Sequence, residues 1–291
     1  MIESIVREVR VQDWNYPIDG ATRAEAREAL ESGCVLFFPK LSFHIESTER
    51  EFLNSSVANG RAKNISLDPA TGRLQGMSVS GEAERRLAAM IERFGAGATK
   101  LVSELLGYKN VERARTSYRP IEVEGRIYSP IKDDRLLHVD AFPSRPMRGR
   151  RILRFFSNVA PSRSRNWEVG ESFETFAQKF LPHVRPSPPG QSWLLEKIGV
   201  TKGRRAPYDE LMLALHDACK RDSDYQKNGP HTALSFPPGT SWLVFTDQVL
   251  HAALGGAFAL EQTFHLDIAE MREPSRSPLK VLERMKGRAL V

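Results

Sequence analysis

The spacing of apolar residues divides the chain into a helix-rich first part and a strand-rich second part. Residues 22–32, TRAEAREALES, place alanine and leucine on one face of a 3.6-residue repeat, which predicts a helix capped by Thr22. Residues 81–108, GEAERRLAAMIERFGAGATKLVSELLGY, hold that period longer and predict one helix, or two broken at Gly95–Gly97. SIVREVRV reads as an edge strand and CVLFFPKL as a buried strand ended by Pro39. Residues 46–80 are polar and irregular.

Beyond residue 110 the period shortens. ERARTSYRPIEV, RLLHVDAF, RRILRFFSNV, SWLVFTDQVLHAAL and ALEQTFHLDI are strand-like runs separated by glycine, proline and polar turns. Gly255–Gly256 reads as a hairpin turn. Between the third and fourth runs, residues 166–230 form an insert with helical stretches, SFETFAQKFLPHV and YDELMLALHDACKR. The expected class is α+β, in a single domain over residues 1–291. Residues 1–110 support a β core at 111–269, and a basic tail follows at 270–291. No solenoid-length repeat, P-loop or dinucleotide fingerprint is present.

Composition narrows the class. Of 291 residues, 41% are apolar and 27% charged, enough apolar material for a core. No apolar run is long enough to span a bilayer, and the charged first residues do not resemble a secretory signal. Two distant cysteines, Cys34 and Cys219, form no disulfide framework and suggest a reducing compartment. The net charge of +6 is modest, but its distribution is not. Seven arginines and no acid lie between Arg145 and Arg165. The planar guanidinium fork suits phosphate and carboxylate, so the cluster points to an anionic ligand: nucleic acid, anionic lipid or sugar acid.

The candidate chemistry centres on His138-Val139-Asp140. In a strand, positions i and i+2 share a face, so His138 and Asp140 can reach one interior. His251 ends another apolar run, 113 residues on. Two imidazoles and a carboxylate on one face of a metal form the facial triad of non-heme Fe(II) oxygenases, with positions left open for a chelating co-substrate and O2. Chance alone yields roughly one H-x-D match in three such sequences, and His265-Leu266-Asp267 is a second match without a later histidine. On spacing alone, a core histidine and an aspartate turn cap explain the residues equally well. Arg154 falls inside the next apolar strand, where alternation groups it with Ile152 and Phe156 and puts Arg151, Leu153 and Phe155 on the other face. Either Arg154 points to solvent, or it is buried and requires an anionic partner, of which the dicarboxylate 2-oxoglutarate is one.

HVDAFPSRP, GRRILRFFSNVAP, FPPGTSWLVFTDQVLHAAL and ALEQTFHL together closely resemble the Kdo hydroxylases, most strongly over residues 111–269. The resemblance implies a double-stranded β-helix of the jelly-roll or cupin-like kind, using Fe(II), 2-oxoglutarate and O2. It implies hydroxylation at C3 of Kdo (3-deoxy-D-manno-oct-2-ulosonic acid) in Kdo–lipid A, at the cytoplasmic face of the inner membrane. It places His138, Asp140 and His251 as metal ligands and catalytic centre. Many oxygenases of this fold carry a co-substrate arginine on the last barrel strand; here Gln262 stands at that position. Arg154 then becomes the expected anchor, as in the JmjC-like branch, with Gln262 and His265 as further co-substrate contacts. Arg119, Arg145, Arg148, Arg150 and Arg151 are the expected contacts to the substrate's carboxylate and phosphates. Trp167 reads either as a cover for the site or as core. The tail SPLKVLERMKGRALV reads as an amphipathic basic helix, either packed on its own domain, as most such helices are, or making weak peripheral contact with a membrane around the lipid-linked acceptor. The expected location is cytoplasmic, with attachment to the inner membrane surface, no nucleic-acid partner and no evident protein partner. The rival readings are an iron hydroxylase or demethylase for another anionic substrate, and a non-catalytic barrel that binds an anionic sugar.

Overall fold

The computed structural model describes residues 5–15, 17–125, 129–184, 188 and 190–291. In chain order the elements are β1 (Val6–Glu8), α1 (Gly20–Glu31), β2 (Val35–Phe38), β3 (Ile65–Leu67), β4 (Leu74–Gln75), α2 (Gly81–Leu106), β5 (Val111–Arg119), β6 (Arg151–Asn158) and β7 (Arg165–Gly170). There follow α3 (Phe173–Phe180), α4 (Gln191–Lys197), α5 (Pro207–Arg221), α6 (Ser223–Asn228), β8 (His231–Phe236), β9 (Ser241–Phe245), β10 (His251–Gly255), β11 (Ala259–Leu266) and α7 (Pro278–Lys286). The fold is α+β. One sheet has eight strands in the order β1-β2-β9-β6-β11-β5-β3-β4, and a second has three in the order β10-β7-β8.

β11 shows how the large sheet divides the molecule. Leu260, Phe264 and Leu266 join the cluster formed with Met90, Phe94, Ala98 and Leu101 of α2. By the two-residue period, Glu261, Thr263 and His265 face the other way, and all three line one pocket. The two sheets face each other through aromatics. Trp242 of β9 stacks on Phe236 of β8 (ring centroids 4.0 Å apart), and Phe156 of β6 meets Trp167 of β7 edge-on at 5.1 Å.

Several expectations change. The cap of α1 is Asp19, whose carboxylate accepts from the Thr22 amide at 2.8 Å, so Thr22 lies inside the helix. α2 runs unbroken through Gly95. A Cβ there would lie 2.1 Å from Arg113 Nη2 and 2.7 Å from Gln262 Oε1, so this glycine permits helix–sheet approach and is not a break. The helical insert begins at α3, not at residue 166, because β7 is a strand of the small sheet. SWLVFTDQVLHAAL is two strands, β9 and β10, interrupted at residues 246–250, and they belong to different sheets. Ser4, at the start of the expected edge strand, and Arg126, after YRPIEVEG, lie outside the described residues.

The C-terminal tail does not present an apolar face to solvent. Leu279, Val281 and Leu282 of α7 are buried in a cluster with Phe173, Phe176 and Leu215 of the insert. No helix among the described residues is long and apolar enough to cross a membrane.

Candidate metal centre

The break between β9 and β10 brings His251 to His138. The two residues exchange both backbone hydrogen bonds, His138 N–H to the His251 carbonyl at 3.1 Å and the reverse at 2.9 Å. Leu137 and Val139 point into the apolar cluster of the insert, so His138 and Asp140 project to the opposite side. Asp140 is fixed at its amide, which donates to the Thr246 carbonyl at 2.7 Å. One donor atom from each of His138, Asp140 and His251 lies within 4.8 Å of the others.

Backbone carbonyls orient both imidazoles toward a common centre. His138 Nδ1 lies 2.7 Å from the Leu136 carbonyl and His251 Nδ1 2.9 Å from the Val249 carbonyl. Each Nδ1 therefore carries the proton, and each Nε2 presents a lone pair to the centre. Burial holds both imidazoles below their ordinary pKa, the neighbouring His251 adding to the effect on His138. Burial alone would raise the Asp140 carboxyl, but Arg154, His251 and a hydrogen bond from Thr246 together outweigh it and hold the group below its ordinary pKa. Two neutral imidazoles and one carboxylate are the donor set of a facial triad, so the residues fit an Fe(II) site.

Arg154 of β6 sits between two acids. Its Nη2 lies 2.8 Å from Asp140 Oδ2, and its Nη1 donates to Glu261 Oε1 at 2.6 Å. Arg119 of β5 donates through Nε to the other Glu261 oxygen at 2.8 Å. The two guanidinia, expected to serve different ligands, thus converge on one carboxylate beside the triad. Trp167 stacks on His251 with ring centroids 5.2 Å apart, and His216 of α5 meets His138 edge-on at 5.5 Å. Sequence reasoning missed Glu261 and His216: a lone acid in an apolar strand and a histidine in a helical insert carry no spacing signal of their own.

A pocket of about 380 Å3 opens from this corner, lined by Arg115, Arg119, Arg145, Arg154, Lys202 and His265 among others. Buried polar atoms without a hydrogen-bond partner gather around it and the triad: Asn64 Oδ1, Arg154 Nε, Trp167 Nε1 and both ring nitrogens of His265. Unsatisfied buried polar groups are costly, and a concentration of them marks where a polar ligand completes the structure.

Two expected contacts are placed elsewhere. Gln262 faces α2, where its side-chain oxygen accepts from Thr116 Oγ1 at 2.6 Å and from Arg113 Nε at 3.2 Å, while its amide donates to the Ala114 carbonyl. It cannot reach the triad across the sheet. Arg151 is fully buried: it binds Asp247 through Nε at 2.7 Å and lies over the Phe245 ring at 3.8 Å. It is a structural ion pair, not a substrate contact. Arg150 pairs with Glu112 at the rim. Arg145 and Arg148 make no ion pair or side-chain hydrogen bond among the described residues, and Arg148 takes a left-handed backbone (φ 53°) with its amide held by Asp209.

The family model for 3-deoxy-D-manno-oct-2-ulosonic acid (Kdo) hydroxylase matches residues 13–289. A crystal structure of the Kdo hydroxylase KdoO, described as a non-heme Fe(II), α-ketoglutarate-dependent dioxygenase in complex with α-ketoglutarate and Fe(III), is 43% identical. It superposes with a TM-score of 0.95 over 98% of this chain and 97% of its own. The cobalt(II) complex of KdoO matches at 44% identity and TM-score 0.96, with the same coverage of both chains. No curated protein sequence matches. The chain belongs to the Kdo hydroxylase family.

Proposed function

We propose that this Kdo hydroxylase is a non-heme Fe(II), 2-oxoglutarate-dependent dioxygenase that adds a hydroxyl at C3 of Kdo in Kdo–lipid A. The observation that carries the reading is the His138–Asp140–His251 triad with Arg154 against its carboxylate, in a chain of this family. We read the two facing sheets as the walls of the double-stranded β-helix, in one domain over residues 1–291.

Iron held by the triad, with 2-oxoglutarate and O2, supplies the oxidant that such enzymes turn on an unactivated C–H bond. The chain's own contribution is binding, orientation and exclusion of water. His138, Asp140 and His251 hold the metal. Arg154, with Nε still lacking a hydrogen-bond partner, takes the far carboxylate of 2-oxoglutarate, and Arg119 stands beside it. Trp167 and His216 wall the centre against solvent. The outer pocket, with Arg145, Lys202 and His265, receives the sugar acid, and Arg148 and Arg150 are assigned to the lipid phosphates. The acceptor's lipid anchor implies action at the cytoplasmic surface of the inner membrane.

The test is succinate release with Fe(II), 2-oxoglutarate and O2, with and without Kdo–lipid A, followed by mass spectrometry of the lipid. Lipid-stimulated succinate with a gain of about 16 Da on Kdo is expected, one oxygen atom per turnover. Succinate release that ignores the lipid would remove the substrate assignment and leave the dioxygenase.

A further inference from the structure

α4 buries none of its residues. Trp193 and Leu194 are each 51% exposed, Ile198 is 62% and Val200 is 53%. These are four of the six exposed large apolar side chains among the described residues, gathered within eight positions. Leu194 and Ile198 are i and i+4 and share a face of the helix; Lys197 lies over the Trp193 ring at 5.9 Å. Large side chains grouped in this way on an otherwise polar surface mark a contact site.

The patch is built and fixed in place. The amides of Val200 and Thr201 both donate to the Leu195 carbonyl, at 2.9 and 3.2 Å, closing the turn after α4. The Lys202 amide then donates to the Ser144 carbonyl at 2.8 Å, and the Arg205 guanidinium reaches the Pro143 carbonyl. The segment is therefore stitched to the loop that carries Arg145, and both Lys202 and Arg145 line the pocket described above.

Charge selects the occupant. Residues 190–206 contain Lys197, Lys202, Arg204 and Arg205 against one acid, Glu196. An apolar helix face with tryptophan among flanking lysines and arginines matches an anionic bilayer surface, with rings and aliphatic chains entering between headgroups and cations meeting phosphates. A second copy of the chain in an isologous contact would set the same cations against one another. α7, the other amphipathic basic segment, has already spent its apolar face on the core.

We infer that the exposed face of α4, with Lys197, Lys202 and Arg204 around it, docks the enzyme on an anionic phospholipid surface and turns the pocket mouth toward that surface. This rests on the reading of a lipid-anchored acceptor, but its test does not need the acceptor. Sedimentation with vesicles of phosphatidylethanolamine and phosphatidylglycerol, compared with phosphatidylcholine vesicles, measures docking directly. The parent should bind the anionic vesicles preferentially, and a W193S/L194S/I198S variant should partition roughly tenfold less or weaker. These side chains are exposed, and the variant should keep the parent's melting temperature and its succinate release on a water-soluble, deacylated Kdo glycan. Equal vesicle binding by parent and variant would overturn the inference. So would equal binding to both vesicle types, or a variant whose only change is loss of a dimer in sedimentation velocity. Failure of Kdo hydroxylation with vesicle docking intact would remove the substrate reading alone.

Discussion

Arg154 lies 2.8 Å from Asp140, so the cation proposed to hold the co-substrate also helps to keep the proposed carboxylate ligand ionised. Arg154→Lys keeps the charge but loses the fork. It should raise the KM for 2-oxoglutarate roughly ten- to a hundredfold, the worth of a charge-assisted hydrogen-bond pair, and lower kcat less. A lowered kcat with unchanged KM would remove Arg154 from the co-substrate site.

Metal binding should be readable without turnover. Co(II) added to metal-free protein should raise the melting temperature by several degrees, because a ligand at a hundred times its Kd stabilises by about 2.7 kcal/mol. His251→Ala should lose that shift. A retained shift would mean that the cation sits elsewhere.

Arg151 and Arg145 separate structure from recognition within one arginine cluster. Arg151→Met leaves Asp247 buried without its counter-ion and should cost about 3–5 kcal/mol in urea unfolding. Burial already pushes the Asp247 carboxyl above its usual pKa, which marks how poorly that site tolerates an unpaired charge. Arg145→Met should change stability by less than about 0.5 kcal/mol and weaken substrate binding. The reverse ranking would return Arg151 to the substrate.

His265 predicts a pH effect with a definite sign. Burial, aided by Arg150, lowers its pKa to about 4 in the folded protein. The unfolded chain protonates this histidine near 6.5, so between those values the unfolded state binds the extra proton. Its contribution is therefore complete above about pH 6.5 and is lost as pH falls toward 4, by up to about 3 kcal/mol. In urea titrations at pH 7 and pH 5, His265→Gln should lose less stability on acidification than the parent. Equal losses would show that His265 titrates normally.

Much of the site was legible because its signals are local. H-x-D on an extended segment carries its own geometry, and an arginine inside an apolar strand demands an anion. What the sequence could not show is which sheet a strand joins. SWLVFTDQVLHAAL reads as one strand-like run, yet Thr246-Asp247-Gln248 interrupts its apolar pattern, and the turn there moves His251 to the small sheet. Arg151 and Gln262 were misplaced for a related reason. Alternation states that two residues share a face, not whether that face meets the site, a helix or a buried acid. The amphipathic pattern of α7 likewise could not distinguish a membrane from the protein's own core.

The paired backbones of His138 and His251 join segments far apart in the chain, and Asp140 hangs from the residue that follows β9. Only a stretch of 114 residues or more, from His138 to His251, contains the whole triad. A metal held by all three side chains would therefore require a chain made through His251, with the turn after β9 placed beside the His138 segment. A chain made only part of the way to His251 would lack one of the three donors.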